Sequence, residues 1–218
     1  MSFRIFKKNP IVILGHTVLN LPQAYNAFQS IVGARKHRSL LMDFVTAQGQ
    51  FESVIDLGCG TGFLLERLTK SKRYVGVDLS EEYLAKASRV ETKAETQFVL
   101  ANFEKPESIS QLVIQSPSLV LAMGIFHHLS DDAVLLLRKQ LEDILPKNSL
   151  LISLDPTIDE LTTPIARWVA LNDRGNFVRS QVDLEKLFAG GRFSVNFTTF
   201  RKQIRIPTDI VIGWCYLR

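Results

Sequence analysis

Two adjacent histidines, His127 and His128, and one acid, Asp155, are the residues of this 218-residue chain best suited to move a proton. Imidazole titrates near pH ~6.5 when unperturbed, so it can take up a proton at neutral pH and release it again. Both histidines follow the apolar run "SLVLAMG" (118–124), and Asp155 nearly ends the run "SLLISLDP" (149–156). Residues just beyond such runs face the ligand crevice of a parallel α/β sheet. His127 is the better base candidate of the two. The structural alternative is that one ring packs in the pocket while the other caps the next helix. Asp155 either faces a substrate or is simply an acid in a proline-linked turn.

A second group of residues is built for binding. In "VIDLGCGTGFLLERL" (54–68), Asp56 precedes three alternating glycines, Gly58, Gly60 and Gly62. Glycine removes the side chain where a ligand must approach the backbone. The dinucleotide fingerprint G-x-G-x-x-G would need its third glycine at position 63, where Phe63 stands instead. Asp78, which ends "RYVGVD", offers two oxygens to two hydroxyls.

Asp56 and its glycines form D-x-G-x-G-x-G, which resembles motif I of the class I S-adenosylmethionine-dependent methyltransferases. The likeness extends through "VGVDLS", "FVLANF" and "LAMGIFHHLSDDAVLLLRKQLEDILPKNSLLISLDP", covering about residues 50 to 156. In the tail, "PIARW", "DRGNFVR" and "IRIP" resemble a bacterial small-molecule subgroup. The resemblance implies S-adenosylmethionine as cofactor and S-adenosylhomocysteine as product. It implies cofactor contacts at Asp56, Gly58, Cys59, Gly60, Gly62, Asp78, Leu79, Asn102, Phe103, Met123 and Gly124. Asp78 would hold both ribose hydroxyls. Asn102 stands where the family has Asp, and its amide oxygen can accept a hydrogen bond from the adenine amino group. Asp56 would attract the cofactor's ammonium, and N–H groups of the turn would face its carboxylate.

The expected reaction is methyl transfer to oxygen or nitrogen of a small-molecule acceptor by direct displacement. Three alternatives stand beside it: a catalytically silent cofactor-binding partner subunit, an NAD-dependent oxidoreductase, and an RNA methyltransferase. Phe63 counts against the second. No N-P-P-Y, D-P-P-Y or Pro-Cys run follows the fourth strand, which argues against adenine-amine and pyrimidine-carbon methylation. Substrate contacts are expected from Tyr25, Arg174 and Arg179. Tyr25 and Phe28, three apart, either pack inward or close over the cofactor. Arg174 and Arg179, in a polar loop, either hold an anionic group bidentately or sit in solvent.

The charge balance is mild: 26 basic against 22 acidic residues give +4. The basic clusters "RKHR" (35–38) and "FRKQIR" (200–205) fit solvated helix faces and strand ends, and a nucleic-acid partner is not expected. Cys59 and Cys215 have no metal or disulfide spacing, so no metal is expected. "IVILGHTVLNL" (11–21) is too short to span a membrane and contains His16 and Asn20, which points to a cytoplasmic protein.

Positioning these residues requires a sheet. From residue 54 apolar strands alternate with amphipathic helices, the pattern of a parallel sheet buried on both faces. Strands are expected at 53–58, 73–80, 96–102, 118–124, 149–156, 193–200 and 210–218. Helices are expected at 24–45, 62–70, 80–90, 106–115, 130–145, 164–172 and 183–191, with Ser80, Ser130 and Asp131 as start signals. The fold is then a doubly wound, Rossmann-like α/β domain with a mostly parallel seven-stranded sheet and an antiparallel C-terminal strand pair. An N-terminal helical cap (1–50) precedes the methyltransferase domain (51–218), in a single domain overall.

Overall fold

Strands form where the sequence can be buried on both faces. In the computed structural model, which describes residues 34–49, 51–68, 70–172, 175–201 and 208–218, strand β1 (Ser53–Leu57) is buried along its whole length. Strands β4 (Ser118–Met123) and β5 (Leu150–Pro156) are buried but for their last residues. Burial without alternation marks inner strands of a parallel sheet. With β2 (Arg73–Asp78), β3 (Glu95–Leu100), β6 (Phe193–Phe200) and β7 (Ile210–Leu217) they form one sheet in the order β3-β2-β1-β4-β5-β7-β6. The first five strands are parallel; β7 runs antiparallel to both β5 and β6. The expected seven strands and the closing antiparallel pair are all present. At the β3 edge Glu95, Thr96 and Gln97 are exposed, a polar border that resists pairing with another chain.

Strand order reverses between β1 and β4, so the crevice lies beyond the carboxyl ends of those two strands. One face of the sheet packs on α3 (Asp131–Ile144) and α5 (Gln181–Ala189), through Leu137, Leu141, Leu184 and Phe188. The other face packs on α1 (Ala34–Ala47), through Leu41 and Val45. Phe44 of α1 lies 5.1 Å from the Trp214 ring, and the Tyr216 hydroxyl donates to Gln48 Oε1 at 3.0 Å. This helix therefore covers the sheet directly. The part of the expected cap before residue 34, including Tyr25 and Phe28, lies outside the described residues.

Helix starts follow the capping signals. Ser80 caps α2 (Glu81–Ala87) by accepting from Tyr83 N at 3.3 Å, and Ser130 caps α3 by accepting from Ala133 N at 3.3 Å. Thr163 caps α4 (Pro164–Leu171), and Ser180 caps α5. Acidic side chains in the first turns of α2, α3 and α5 complement the helix dipole.

Two expected helices are absent. Residues 60–67 form successive turns rather than a helix, because Gly60 and Gly62 take positive φ (53° and 85°), outside helical backbone space. Leu64, Leu65 and Leu68 are buried there all the same. Residues 103–111 are also turns. Glu107 has φ 58°, and the Ile109 N–H donates to Gln140 Oε1 at 3.1 Å instead of to a helical carbonyl. Among the described residues no helix is long and apolar enough to cross a membrane.

Candidate active site

The glycine turn is tied to β2 through its own amides. Gly58 N and Cys59 N both donate to Val77 O, at 2.7 and 3.1 Å. Gly60 N donates to Asp78 Oδ2 at 2.9 Å, and Gly62 N to Cys59 O at 3.0 Å. These four N–H groups are bonded within the chain, which holds the turn against β2. The glycines serve different purposes. At Gly60 (φ 53°) a Cβ would meet nothing within 4 Å among the described residues, which leaves an open cradle there. At Gly58 (φ 70°) it would stand 2.0 Å from Ile125 Cδ1, so this glycine admits the loop after β4.

Asp78 receives a second backbone bond, from Ser80 N to Oδ1 at 2.8 Å. Each carboxylate oxygen therefore holds one amide and retains capacity for another donor. The next residue, Leu79, is 66% exposed, as is much of Leu100 at the end of β3. Together they present an apolar border beside an anchored carboxylate. Asn102 lies next in line; its Oδ1 accepts from Glu104 N at 3.0 Å and keeps one lone pair.

Asp56 sits beneath the turn, fully buried, and its Oδ2 accepts from the Tyr74 hydroxyl at 2.6 Å. Burial pushes its pKa up to about 7, against the lowering effect of the Tyr74 bond and with help from the Asp78 charge. Cys59 turns inward over Gly76, where a Cβ would meet its Sγ at 2.9 Å. Burial first, then the Asp56 and Asp78 charges, drive its thiol far up and out of reach of thiolate chemistry. The side chains of Cys59 and Phe103 both belong to the hydrophobic core, so these two residues offer a ligand their main chain rather than their side chains.

The two proton-handling residues are brought together. His127 sits on a one-turn 3₁₀ helix (Phe126–His128) after β4, and its Nδ1 lies 2.8 Å from Asp155 Oδ1. The same oxygen accepts from the His127 main-chain N–H at 3.0 Å. A carboxylate can only accept, so Nδ1 carries the proton in this pair. Both residues are buried. Asp155 Oδ2 is buried too and has no hydrogen-bond partner among the described residues. A Cβ on Gly124 would stand 3.4 Å from His127 Cε1, and one on Gly175 would stand 2.0 Å from Cδ2. Nε2, between those two ring atoms, is on the edge flanked by the two glycines. Met123 is half-buried and Gly124 has φ 68° at the end of β4. His128 is exposed, its ring 4.1 Å from that of His127.

Arg179 does not face a substrate. Its Nη1 donates to Phe126 O (2.6 Å) and Phe177 O (3.1 Å), and its Nη2 to Leu129 O (2.6 Å). Nε and Nη2 both reach Asp131 Oδ1, at 2.8 and 2.7 Å. Four of the five N–H bonds of the guanidinium donate in these hydrogen bonds, and the Asp131 carboxylate also pairs with Nη2. The expected anion-binding role is therefore corrected: Arg179 is an internal clasp. Arg174 and Tyr25 lie outside the described residues.

Sequence reasoning missed Tyr74, Gly175 and Phe177. A tyrosine inside a buried strand needs a partner for its hydroxyl, and that signal was available in "RYVGVD". Gly175 and Phe177 gave none, because they reach His127 only through the return of the chain: Phe177 N donates to His127 O at 2.9 Å.

Residues 54–147 match the family model described as "Methyltransferase domain". No curated protein matches the chain. Among solved structures, the chain resembles the plantazolicin methyltransferase BpumL, solved with a triazolic desmethylPZN analog and SAH. That likeness has a TM-score of 0.65 at 16% identity and covers 95% of this chain and 96% of that one. The methyltransferase domain of the bacterial protein CtHen1 gives a TM-score of 0.61 at 18% identity, covering 84% and 99%. A SAM-dependent methyltransferase from Methanosarcina mazei gives 0.61 at 16% identity, covering 79% and 96%.

Proposed function

With residues 54–147 belonging to the methyltransferase domain family, whose cofactor is S-adenosylmethionine, we propose that the chain methylates an oxygen or nitrogen of a small-molecule acceptor. The observation that carries this reading is the buried His127–Asp155 pair at the ends of β4 and β5. An acceptor hydroxyl or ammonium must lose a proton during transfer. His127 Nε2 takes that proton, because Nδ1 is committed to Asp155. Asp155 holds Nδ1 as the donor and so fixes the tautomer. Its unpartnered Oδ2 suits an acceptor that brings a further O–H or N–H donor.

The residues around the crevice fit the cofactor. Asp78 would hold the ribose hydroxyls with the lone pairs its two amides leave over, and Leu79 would border the adenine. The open cradle at Gly60 lets the nucleoside approach the backbone. When bound, S-adenosylmethionine supplies a methyl group already activated by its sulfonium. The chain's task is then alignment and proton removal, and alignment alone is worth several kcal/mol, up to ~7–11.

The plantazolicin methyltransferase, solved with a triazolic desmethylPZN analog and SAH, covers nearly the whole of this chain, which supports the reading of a comparable acceptor of limited size here. The test is a screen of phenols, aliphatic alcohols, carboxylates and amines with S-adenosylmethionine, read by mass spectrometry. Methylated oxygen or nitrogen products that vanish with His127→Ala support the reading. Methylation confined to RNA or to carbon would overturn it.

A further inference from the structure

We propose that Arg179 is a positioning residue that holds His127 and Asp155 in register with each other, an inference that rests on His127 being the base. Two arms of Arg179 reach the two halves of the pair. Its side chain binds the carbonyls of Phe126 and Leu129, which bracket the two histidines, and the Asp131 carboxylate at the start of α3. Its main-chain carbonyl accepts from the Thr157 hydroxyl at 2.8 Å, and the two residues form a parallel bridge. Thr157 lies two residues beyond Asp155 and is fully buried. One residue thus links the turn that carries His127 to the strand end that carries Asp155.

The rest of the segment reinforces this link. Phe177 N donates to His127 O, and Gly175 packs against the imidazole so closely that a Cβ there would collide with it. A guanidinium is required for the side-chain arm. Its rigid fork presents donors to two carbonyls and one carboxylate at once, whereas an ammonium is a point donor that satisfies only some of them. The cation is buried yet compensated, since four of its N–H groups donate to acceptors and Asp131 supplies the charge.

The role can be read without any acceptor. In protein labelled with ¹⁵N-histidine, long-range ¹H–¹⁵N spectra report the tautomer of each ring, with His127 assigned by its loss in His127→Ala. At a pH where imidazoles are neutral, the unaltered chain is expected to show His127 protonated at Nδ1 alone. Arg179→Met is expected to give a mixture of Nδ1 and Nε2 tautomers, with S-adenosylhomocysteine affinity unchanged. Arg179→Lys is expected to fall between the two, and it decides the matter should the methionine variant not fold. Once an acceptor is in hand, turnover of Arg179→Met should drop on the order of tenfold to a hundredfold with little change in KM. A pure Nδ1 tautomer in both variants overturns the role of Arg179 while leaving His127 as the base. A His127 that is not Nδ1-protonated in the unaltered chain overturns the base reading itself, and this inference with it.

Discussion

Asp155 binds His127 twice through one oxygen: Oδ1 accepts the ring Nδ1–H at 2.8 Å and the main-chain N–H at 3.0 Å. The two hydrogen bonds together fix both where the imidazole sits and which nitrogen is protonated. The turn that carries it is further seated by Phe126, whose ring packs 5.4 Å from that of Phe188 in the core. A base held this way needs no rearrangement when an acceptor arrives.

Removing either member of the pair should therefore separate turnover from cofactor binding. His127→Ala is expected to lower turnover by on the order of a hundredfold or more, the usual contribution of a general base. Asp155→Asn keeps the shape but replaces a pure acceptor by an amide, and should lose a substantial part of the same factor. Steady-state kinetics with the acceptor found by screening, alongside S-adenosylhomocysteine calorimetry, checks both. Full turnover in His127→Ala would return the histidine to a structural role.

The glycine turn yields a paired prediction. Gly60→Ala meets no neighbour among the described residues, so it should cost about 1–2 kcal/mol of stability from its positive φ alone. Its Cβ would nonetheless stand in the cradle, and cofactor affinity should drop by about tenfold or more. Gly58→Ala drives a methyl into Ile125 and should cost about 1–3 kcal/mol further in stability. Urea unfolding and calorimetry on the two variants distinguish the roles. Unchanged affinity in Gly60→Ala would mean that the ligand lies elsewhere.

Asp56 gives a pH dependence of stability. Burial raises its pKa in the folded chain from 3.8 to about 7, so the folded chain keeps a proton that the unfolded chain has already released. The resulting stability is fully present below pH ~4 and is lost as pH rises through about 7. Asp56→Asn abolishes this titration. Between about pH 5 and about pH 8 the unaltered chain should lose a few kcal/mol relative to the variant, measured by urea unfolding. A constant difference across that range would show that Asp56 is already ionised at pH 5.

Much of this architecture was legible because local signals agreed with the fold. Ser80 and Ser130 mark helix starts, and the strands at 193–200 and 210–217 fall where the apolar runs do. The run after the glycines misled because Leu64, Leu65 and Leu68 have helical spacing and are buried, yet two positive-φ glycines turn the backbone away from a helix. His127 and Asp155 could be named separately from the ends of their strands. Their contact could not, since it depends on how β4 and β5 pair. Arg179 was misjudged for a related reason: no local pattern reveals that a loop arginine returns to bind carbonyls about 50 residues away.

The most direct measurement is calorimetric titration of S-adenosylhomocysteine into the unaltered chain, Asp78→Ala and His127→Ala, with NAD as the control ligand. The unaltered chain and His127→Ala should bind S-adenosylhomocysteine alike in the micromolar range and ignore NAD. Asp78→Ala should bind at least about a hundredfold more weakly, from the loss of charge-assisted hydrogen bonds at ~1.5–3 kcal/mol each. Equal affinity in Asp78→Ala, or binding of NAD in place of S-adenosylhomocysteine, would contradict the site described.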